Sequence, residues 1–584
     1  MVLGVINCRN SINNMNIELS DKNYLKKNML RSLVLNILVM AFGVLFFEPT
    51  IKSDDYDLSM VLYGAVDGEY SNITMYCLVF FGEVIKCLLT IAPHIPWYAV
   101  VNYIIVFFSL LIISIIMRRH RNECLVFEII VLPFLAYELY IRLTFTKTAG
   151  ITIISGLLLL LYLIDCSSKK IVVYGAALVW VLLGVSIRPS MLNLVLEIFF
   201  SAFVISIILV NGKKKKAMII KFILYVLVLL SLGKILVYIS SNIREKDSDW
   251  AVYSQYNSAR AKLQDYHMLE YKGREEEYNK AGLSENDYIA FKNWALYTDY
   301  DFFTIKRLNN ISSITEESPK ENPINRAIKN LCLYYFSETG FYFLFLITLL
   351  FCCSTGLQRK NKCVIVVSVV VYSFFAYIYM SYLGRTQHHV DLSVMISAMI
   401  LIMYYYYRFD CHINNISRAL LSAVVIIVVF LFRFSSSLSR ASYYANDVEN
   451  QKEYYNNNKR IMDLLSNDKE HIYVFCPLTT NTFYDCIFEP FEIIPKGYYS
   501  NLEMTNRYGI PTWDSIAAQY GINNYFKEAT DSEIIYFVDL DSNEGWINVV
   551  QTYINEHYCS SAKYELVKEL GSVNIYRFVG EANE

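Results

Sequence analysis

A chain of 584 residues that is 55% hydrophobic, 15% aromatic and 18% charged, with a mean hydropathy of +0.32, is neither disordered nor a string of ordinary soluble domains. Its formal charge of -2, from 52 basic and 54 acidic residues, excludes a global attraction to nucleic acid. The 13 cysteines form no CxxC pair and no Cys/His cluster, so neither a zinc framework nor a disulfide framework is indicated.

In chain order, a polar segment over 1–30 precedes a membrane region over 31–433. A helix that crosses a bilayer needs about 20 mainly apolar residues, because its backbone groups find no partners in hydrocarbon. That criterion predicts about eleven transmembrane helices, at 31–48, 97–117, 124–143, 148–165, 171–187, 191–210, 217–238, 335–354, 363–382, 392–407 and 419–433. The first lacks a small-residue cleavage site, so a removed signal peptide is not expected.

Lys and Arg in short connections resist translocation. Eighteen of them, among them Arg118, Arg119, Lys213 to Lys216, Arg359 and Arg408, fall on one face, against about six on the other (Lys52, Lys86, Arg142, Lys147, Arg188, Arg385). The expected topology therefore has a cytoplasmic N-terminus, an extracellular C-terminus and a plasma-membrane location. It also resolves residues 73–92, which are apolar enough to pass for a span. Glu83 and Lys86 interrupt them and Pro93 and Pro96 close them, which predicts an amphipathic interfacial helix within a first outer loop over 49–96.

Two hydrophilic stretches remain. Residues 239–334 form a long outer loop with helical spacing around 253–278 and 286–297. Residues 434–584 read as a small extracellular α/β domain, with strands at 471–476 and 533–538 and helices at 501–520 and 546–558. The fold class is thus an all-α polytopic membrane protein carrying a small α/β domain. The Tyr404 to Tyr407 run reads as an interfacial aromatic belt rather than a sugar-stacking platform.

Chemistry concentrates just after the first span, where Ser53-Asp54-Asp55-Tyr56 is followed by Tyr63-Gly64 and, beyond an aromatic-rich amphipathic stretch, by Pro96-Trp97-Tyr98. Adjacent carboxylates at a low-dielectric boundary raise each other's pKa, so such a pair calls for a cation, a donor group or a proton-accepting task; the plain alternative is a solvated acidic loop. The same face carries Thr144 to Ala149, Ile187-Arg188-Pro189 and Gly384-Arg385-Thr386-Gln387-His388-His389.

This arrangement resembles the multi-span glycosyltransferases of the GT-C superfamily. More narrowly, it is similar to bacterial GtrII-type glucosyltransferase-like proteins of polysaccharide clusters, which share the Asp-Asp-Tyr motif, an outer Arg-Pro and a late Gly-Arg. The likeness covers the membrane region and, more loosely, Tyr256 to Arg260; where His388 or His389 stands, related proteins tend to have Arg.

The resemblance implies transfer of a hexose from a polyprenyl-phosphate donor to a glycan acceptor at the bilayer surface. Asp54 or Asp55 would take the acceptor proton, while Arg188, Arg385 and Lys147 would hold the lipid phosphate. Tyr56, Tyr63, His388, His389, Asn257 and Arg260 would contact substrate, with a divalent cation at the two histidines a possible cofactor. Each has a structural alternative: the arginines snorkel to headgroups, Lys147 anchors a helix end, and Asn257 and Arg260 pack within the loop. The functional alternatives are a polysaccharide polymerase and a transporter or flippase of lipid-linked oligosaccharide.

Overall fold

The computed structural model describes residues 18–47, 49–51, 53–120, 124–166, 170–209, 213–264, 268–293, 299–316, 323–331, 339–382, 387–412, 448–476, 479, 483, 489–504, 517–541 and 545–580. The chain begins with α1 (Glu18–Phe46), α2 (Ser53–Leu62), α3 (Val79–Ile91) and α4 (Trp97–His120). A segment broken only in its hydrogen-bond register follows, a continuous helical run in which α5 (Leu132–Ala136) lies between two π-helical turns, Phe127–Val131 and Tyr137–Ile141. Then come α6 (Phe145–Asp165), α7 (Ile171–Ile187), α8 (Met191–Leu209) and α9 (Lys213–Lys246). A polar set comprises α10 (Ser248–Gln264), α11 (Glu275–Lys280), α12 (Glu285–Lys292), α13 (Ile305–Glu316) and α14 (Pro323–Asn330). The bundle resumes with α15 (Thr339–Cys353), α16 (Arg359–Tyr382) and α17 (His388–Arg408).

Among the described residues, seven helices are long and apolar enough to cross a membrane: α1, α4, α6, α8, α9, α16 and α17. Of the remaining expected spans, α7 and α15 are apolar but only 17 and 15 residues long. The 124–143 stretch is the broken segment, interrupted at Pro133, whose ring removes a backbone donor and crowds the preceding turn. The 419–433 stretch lies outside the described residues. Helices α6 and α7 pack closely through small residues, and a Cβ on Gly184 would come within 3.0 Å of the Ala149 carbonyl oxygen.

Hydropathy alone does not separate lipid-facing from protein-facing helices. The apolar window of α17 is 100% buried, whereas that of α1 is only 17% buried. This corrects the reading of the tyrosine run, for Tyr404 to Tyr407 are all buried in the bundle. Tyr404 donates to Asp165, Tyr405 donates to the Ala202 carbonyl at 3.2 Å, and Tyr407 accepts from Phe127 N–H at 3.1 Å.

Beyond the bundle, α18 (Val448–Asn467), β1 (Ile472–Phe475), β2 (Leu502–Met504), β3 (Ile535–Leu540), α19 (Trp546–His557), β4 (Lys563–Leu570) and β5 (Val573–Val579) make a five-stranded sheet with its helices. The strand order is β2-β1-β3-β5-β4, with β1 parallel to β2 and β3, and β5 antiparallel to β3 and β4. The expected strands at 471–476 and 533–538 are β1 and β3. The expected helix at 501–520 instead opens as β2, because Leu502 to Met504 register against Tyr473 to Phe475.

The two hydrophilic stretches are one body. Tyr256, Leu263, Tyr278, Phe291 and Phe303 from the 239–334 loop share a single core with Val474, Phe537, Ile547 and Tyr553 of the sheet domain. Asp299 sits at the seam, 2% exposed, accepting from Tyr553 at 2.7 Å, Tyr558 at 2.6 Å and the Asn524 amide at 3.0 Å. This body is tied to the bundle beside α2, where Gly497 N–H donates to the Gly64 carbonyl at 2.9 Å and Tyr499 N–H to the Ala65 carbonyl at 2.7 Å.

Candidate functional site

The site is assembled from the ends of helices. After α1, Thr50 N–H donates to the Ile141 carbonyl at 2.7 Å, which carries the chain across the end of the broken segment. The acidic run then forms not a loop but the first turn of α2, where carboxylates are favoured by the exposed N–H groups of a helix start. Asp54 remains half-exposed, whereas Asp55 turns inward and is 1% exposed.

Asp55 Oδ1 accepts two hydrogen bonds, from Tyr98 Oη at 2.7 Å and from Phe145 N–H at 2.7 Å. Phe145 is the first residue of α6, so its N–H is one of the donors that the helix itself cannot use. Burial pushes the Asp55 carboxyl from 3.8 up to about 7; the bonds from Tyr98 and Phe145 oppose the rise, Asp54 adds to it, and Lys147 opposes it. Near neutral pH this carboxyl is able both to hold and to accept a proton.

Arg188 follows the last residue of α7. Its Nη1 donates to Thr146 Oγ1, and its guanidinium lies 5.0 Å from the Phe145 ring centre and 5.4 Å from that of Tyr76. Those two rings stack on each other at 5.4 Å. The Tyr76 segment is held over the site by Leu78 N–H donating to the Ser186 carbonyl at 2.8 Å and by Arg244 donating to the Thr74 carbonyl at 2.8 Å. Burial also pushes the nearby Cys77 thiol up to about 12, and that thiol feels Asp55, Arg188 and Arg244 together. Asp55 and Arg188 are thus brought to one place, on consecutive residues of the α6 start.

Beside Arg188 opens a cavity of about 720 Å3 between α8, α9, α16 and α17. Its walls are mainly apolar, including Phe203, Phe222, Leu227 and Leu230, with Asn193, Gln387 and Glu197 among the polar groups. Phe200, Ile223, Leu227 and Tyr379 are also exposed on the bundle flank, so the cavity opens where lipid would lie.

The other candidates divide. Lys147 is 3% exposed, and its ammonium donates to the Glu138 carbonyl at 3.0 Å, to Glu138 Oε2 at 2.9 Å and to the Arg142 carbonyl at 2.9 Å. All three of its protons are thereby engaged, which makes it a fastening for the turn between the broken segment and α6 instead of a phosphate ligand. His388 lies 3.6 Å from the same Glu138 carboxylate, so a histidine and a buried acid meet at the start of α17. Arg385 lies outside the described residues.

Tyr63 Oη accepts from Tyr98 N–H at 3.3 Å, and Tyr56 shares a 2.7 Å hydrogen bond with Tyr499 of the sheet domain. Both tyrosines support α2. Arg260 is 2% exposed and donates to Asn257 Oδ1 at 2.7 and 3.0 Å and to Gln264 Oε1 at 2.9 Å. Asn257 and Arg260 therefore brace α10 from within, because their polar groups answer each other on one helix face.

From sequence alone Glu138 reads as an intramembrane acid that lines a cavity or pairs locally, and it pairs with Lys147. Tyr98, Phe145 and Thr146 stand inside the motifs quoted above, but nothing local marks them as partners of Asp55 and Arg188. No protein-family model, curated protein or solved structure matches this chain.

Proposed function

We propose that this protein is an integral membrane glycosyltransferase that moves a hexose from a polyprenyl-phosphate donor to a surface glycan, with Asp55 as the general base. One observation carries the reading: a buried carboxyl poised near neutrality shares the start of α6 with a guanidinium at the mouth of a lipid-accessible apolar cavity. The cavity suits an isoprenoid chain, and Arg188 suits its phosphate, since the planar fork stays charged and matches phosphate oxygens. Asp55 then accepts the acceptor hydroxyl proton as that oxygen attacks the anomeric carbon, and the lipid phosphate departs against positive charge. His388, beside Glu138, is a second donor for that phosphate.

In this reading the membrane region has the GT-C type of topology. The shorter α7 and α15, the broken segment and 419–433 complete eleven spans, with the N-terminus cytoplasmic and the polar body outside the plasma membrane. Glycan analysis of cells carrying Asp55→Asn tests it: the amide keeps both incoming hydrogen bonds but cannot take a proton. Loss of modification with normal membrane levels is expected, and retained modification removes Asp55 as base.

A second reading rests on the two π-helical turns, since such turns mark functional positions in helices and the second carries the buried Glu138 carboxylate, as an ion or substrate path of a carrier would. Flipping of a fluorescent lipid-linked oligosaccharide in vesicles that Asp55→Asn leaves unchanged favours the carrier.

A further inference from the structure

By sequence, His388 and His389 are candidates for donors or metal ligands. Among the described residues, the grouping whose ligand-type atoms converge lies elsewhere, in the polar body, where Asp287 of α12 meets Glu556 and His557 of α19. The three ligand atoms lie within 4.8 Å of one another, with His557 Nε2 2.8 Å from Asp287 Oδ1 and 3.8 Å from Glu556 Oε2. We propose that Asp287, Glu556 and His557 bind one divalent cation of the zinc or manganese class, which clasps the long loop to the sheet domain.

Two carboxylates face one imidazole nitrogen, and a single N–H cannot serve both. A cation at their meeting point satisfies all three, with the histidine neutral, its proton on Nδ1 and its Nε2 lone pair toward the ion. One imidazole and two carboxylates suit zinc or manganese better than calcium or magnesium, which prefer oxygen alone. Glu556 is exposed, so water completes the coordination from that side.

The ligands are also oriented, as metal ligands require. Ser284 N–H donates to Asp287 Oδ2 at 2.9 Å, leaving Oδ1 for the ion, and Ser284 Oγ donates to Glu556 Oε2 at 2.7 Å. The His557 ring is gripped by Phe302 at 4.1 Å and Tyr553 at 4.8 Å. Asn286 donates to the Val549 carbonyl at 3.1 Å and holds α12 and α19 in register. The site lies in the polar body, apart from Asp55 and Arg188.

The test uses the purified full-length protein, stripped with EDTA and titrated with zinc chloride or manganese chloride. Elemental analysis after dialysis should find one equivalent per chain, and the unfolding temperature should rise on binding and fall again with EDTA. Glu556→Gln, on an exposed position, should keep the fold by circular dichroism and lose the thermal shift. Ser284→Ala keeps the backbone N–H that holds Asp287 but removes the hydroxyl that orients Glu556, and should weaken affinity about 10- to 100-fold. Substoichiometric binding of both metals, or equal binding by wild type, Glu556→Gln and His557→Gln, overturns the assignment and leaves an ordinary histidine–carboxylate hydrogen bond.

Discussion

Asp55 and Arg188 address the same residue, one through its backbone and the other through its ring: Phe145 gives its N–H to the Asp55 carboxylate at 2.7 Å and lies under the Arg188 guanidinium at 5.0 Å. Neither interaction is local in sequence. The start of α6 is the structural element that joins them, and small changes there reach both groups.

The raised Asp55 carboxyl gives a pH dependence with a definite sign. In the proposed role of base Asp55 works only when ionised, so the proposed sugar transfer should rise with pH through a midpoint near 7. Stability should move the opposite way. Between 3.8 and about 7 the folded state holds this proton while the unfolded state releases it, so the contribution of Asp55 to stability declines across that window as pH rises. Initial rates and unfolding midpoints from pH 5 to 9, for wild type and Asp55→Asn, check both; a rate profile flat across that range rules the base out.

Arg188→Gln should lower transfer by about 10²–10³-fold, the usual effect of losing one donor to a developing anion. Arg188→Lys should rescue only part of the loss, because an ammonium neither forks onto phosphate nor stacks on Phe145 and Tyr76. Expression and thermal unfolding in detergent separate this from misfolding, and unchanged rates in both variants would free Arg188 of any role with phosphate.

The Lys147–Glu138 pair should behave as a buried fastening. Lys147→Met leaves the Glu138 carboxylate enclosed without its main partner, a change that costs about 3–5 kcal/mol. Adding Glu138→Gln should recover much of that stability. A double variant as unstable as the sum of the two singles contradicts a direct pairing.

Asp299→Ala should loosen the seam of the polar body by orphaning the hydroxyls of Tyr553 and Tyr558. Limited proteolysis should then cut within 268–316 faster than in wild type, while the bundle stays intact. Equal cleavage rates would mean that the shared apolar core alone suffices.

The sequence carried the bundle well where one signal was enough. Apolar length located α4, α6 and α16, and short apolar runs located β1 and β3. It failed where the outcome depends on a distant partner. Leu502 to Met504 become a strand only against Tyr473 to Phe475, and Tyr404 to Tyr407 are core only because neighbouring helices surround α17. The site was legible to the same degree. The acidic pair and Arg188 stood out by residue type, but an ordinary Phe145 carried no mark of the donor it gives to Asp55, and Lys147 gave no sign that its charge is consumed internally.

The common core of the 239–334 loop and the sheet domain has a consequence for biogenesis. Tyr256, Tyr278 and Phe303 are synthesised well over a hundred residues before Phe537 and Tyr553, the side chains they bury against. Until translation reaches the sheet domain, this core lacks the half that closes it. A truncation anywhere ahead of residue 472 should therefore yield a threaded bundle with a sticky, unfinished appendage, a natural substrate for proteases and chaperones.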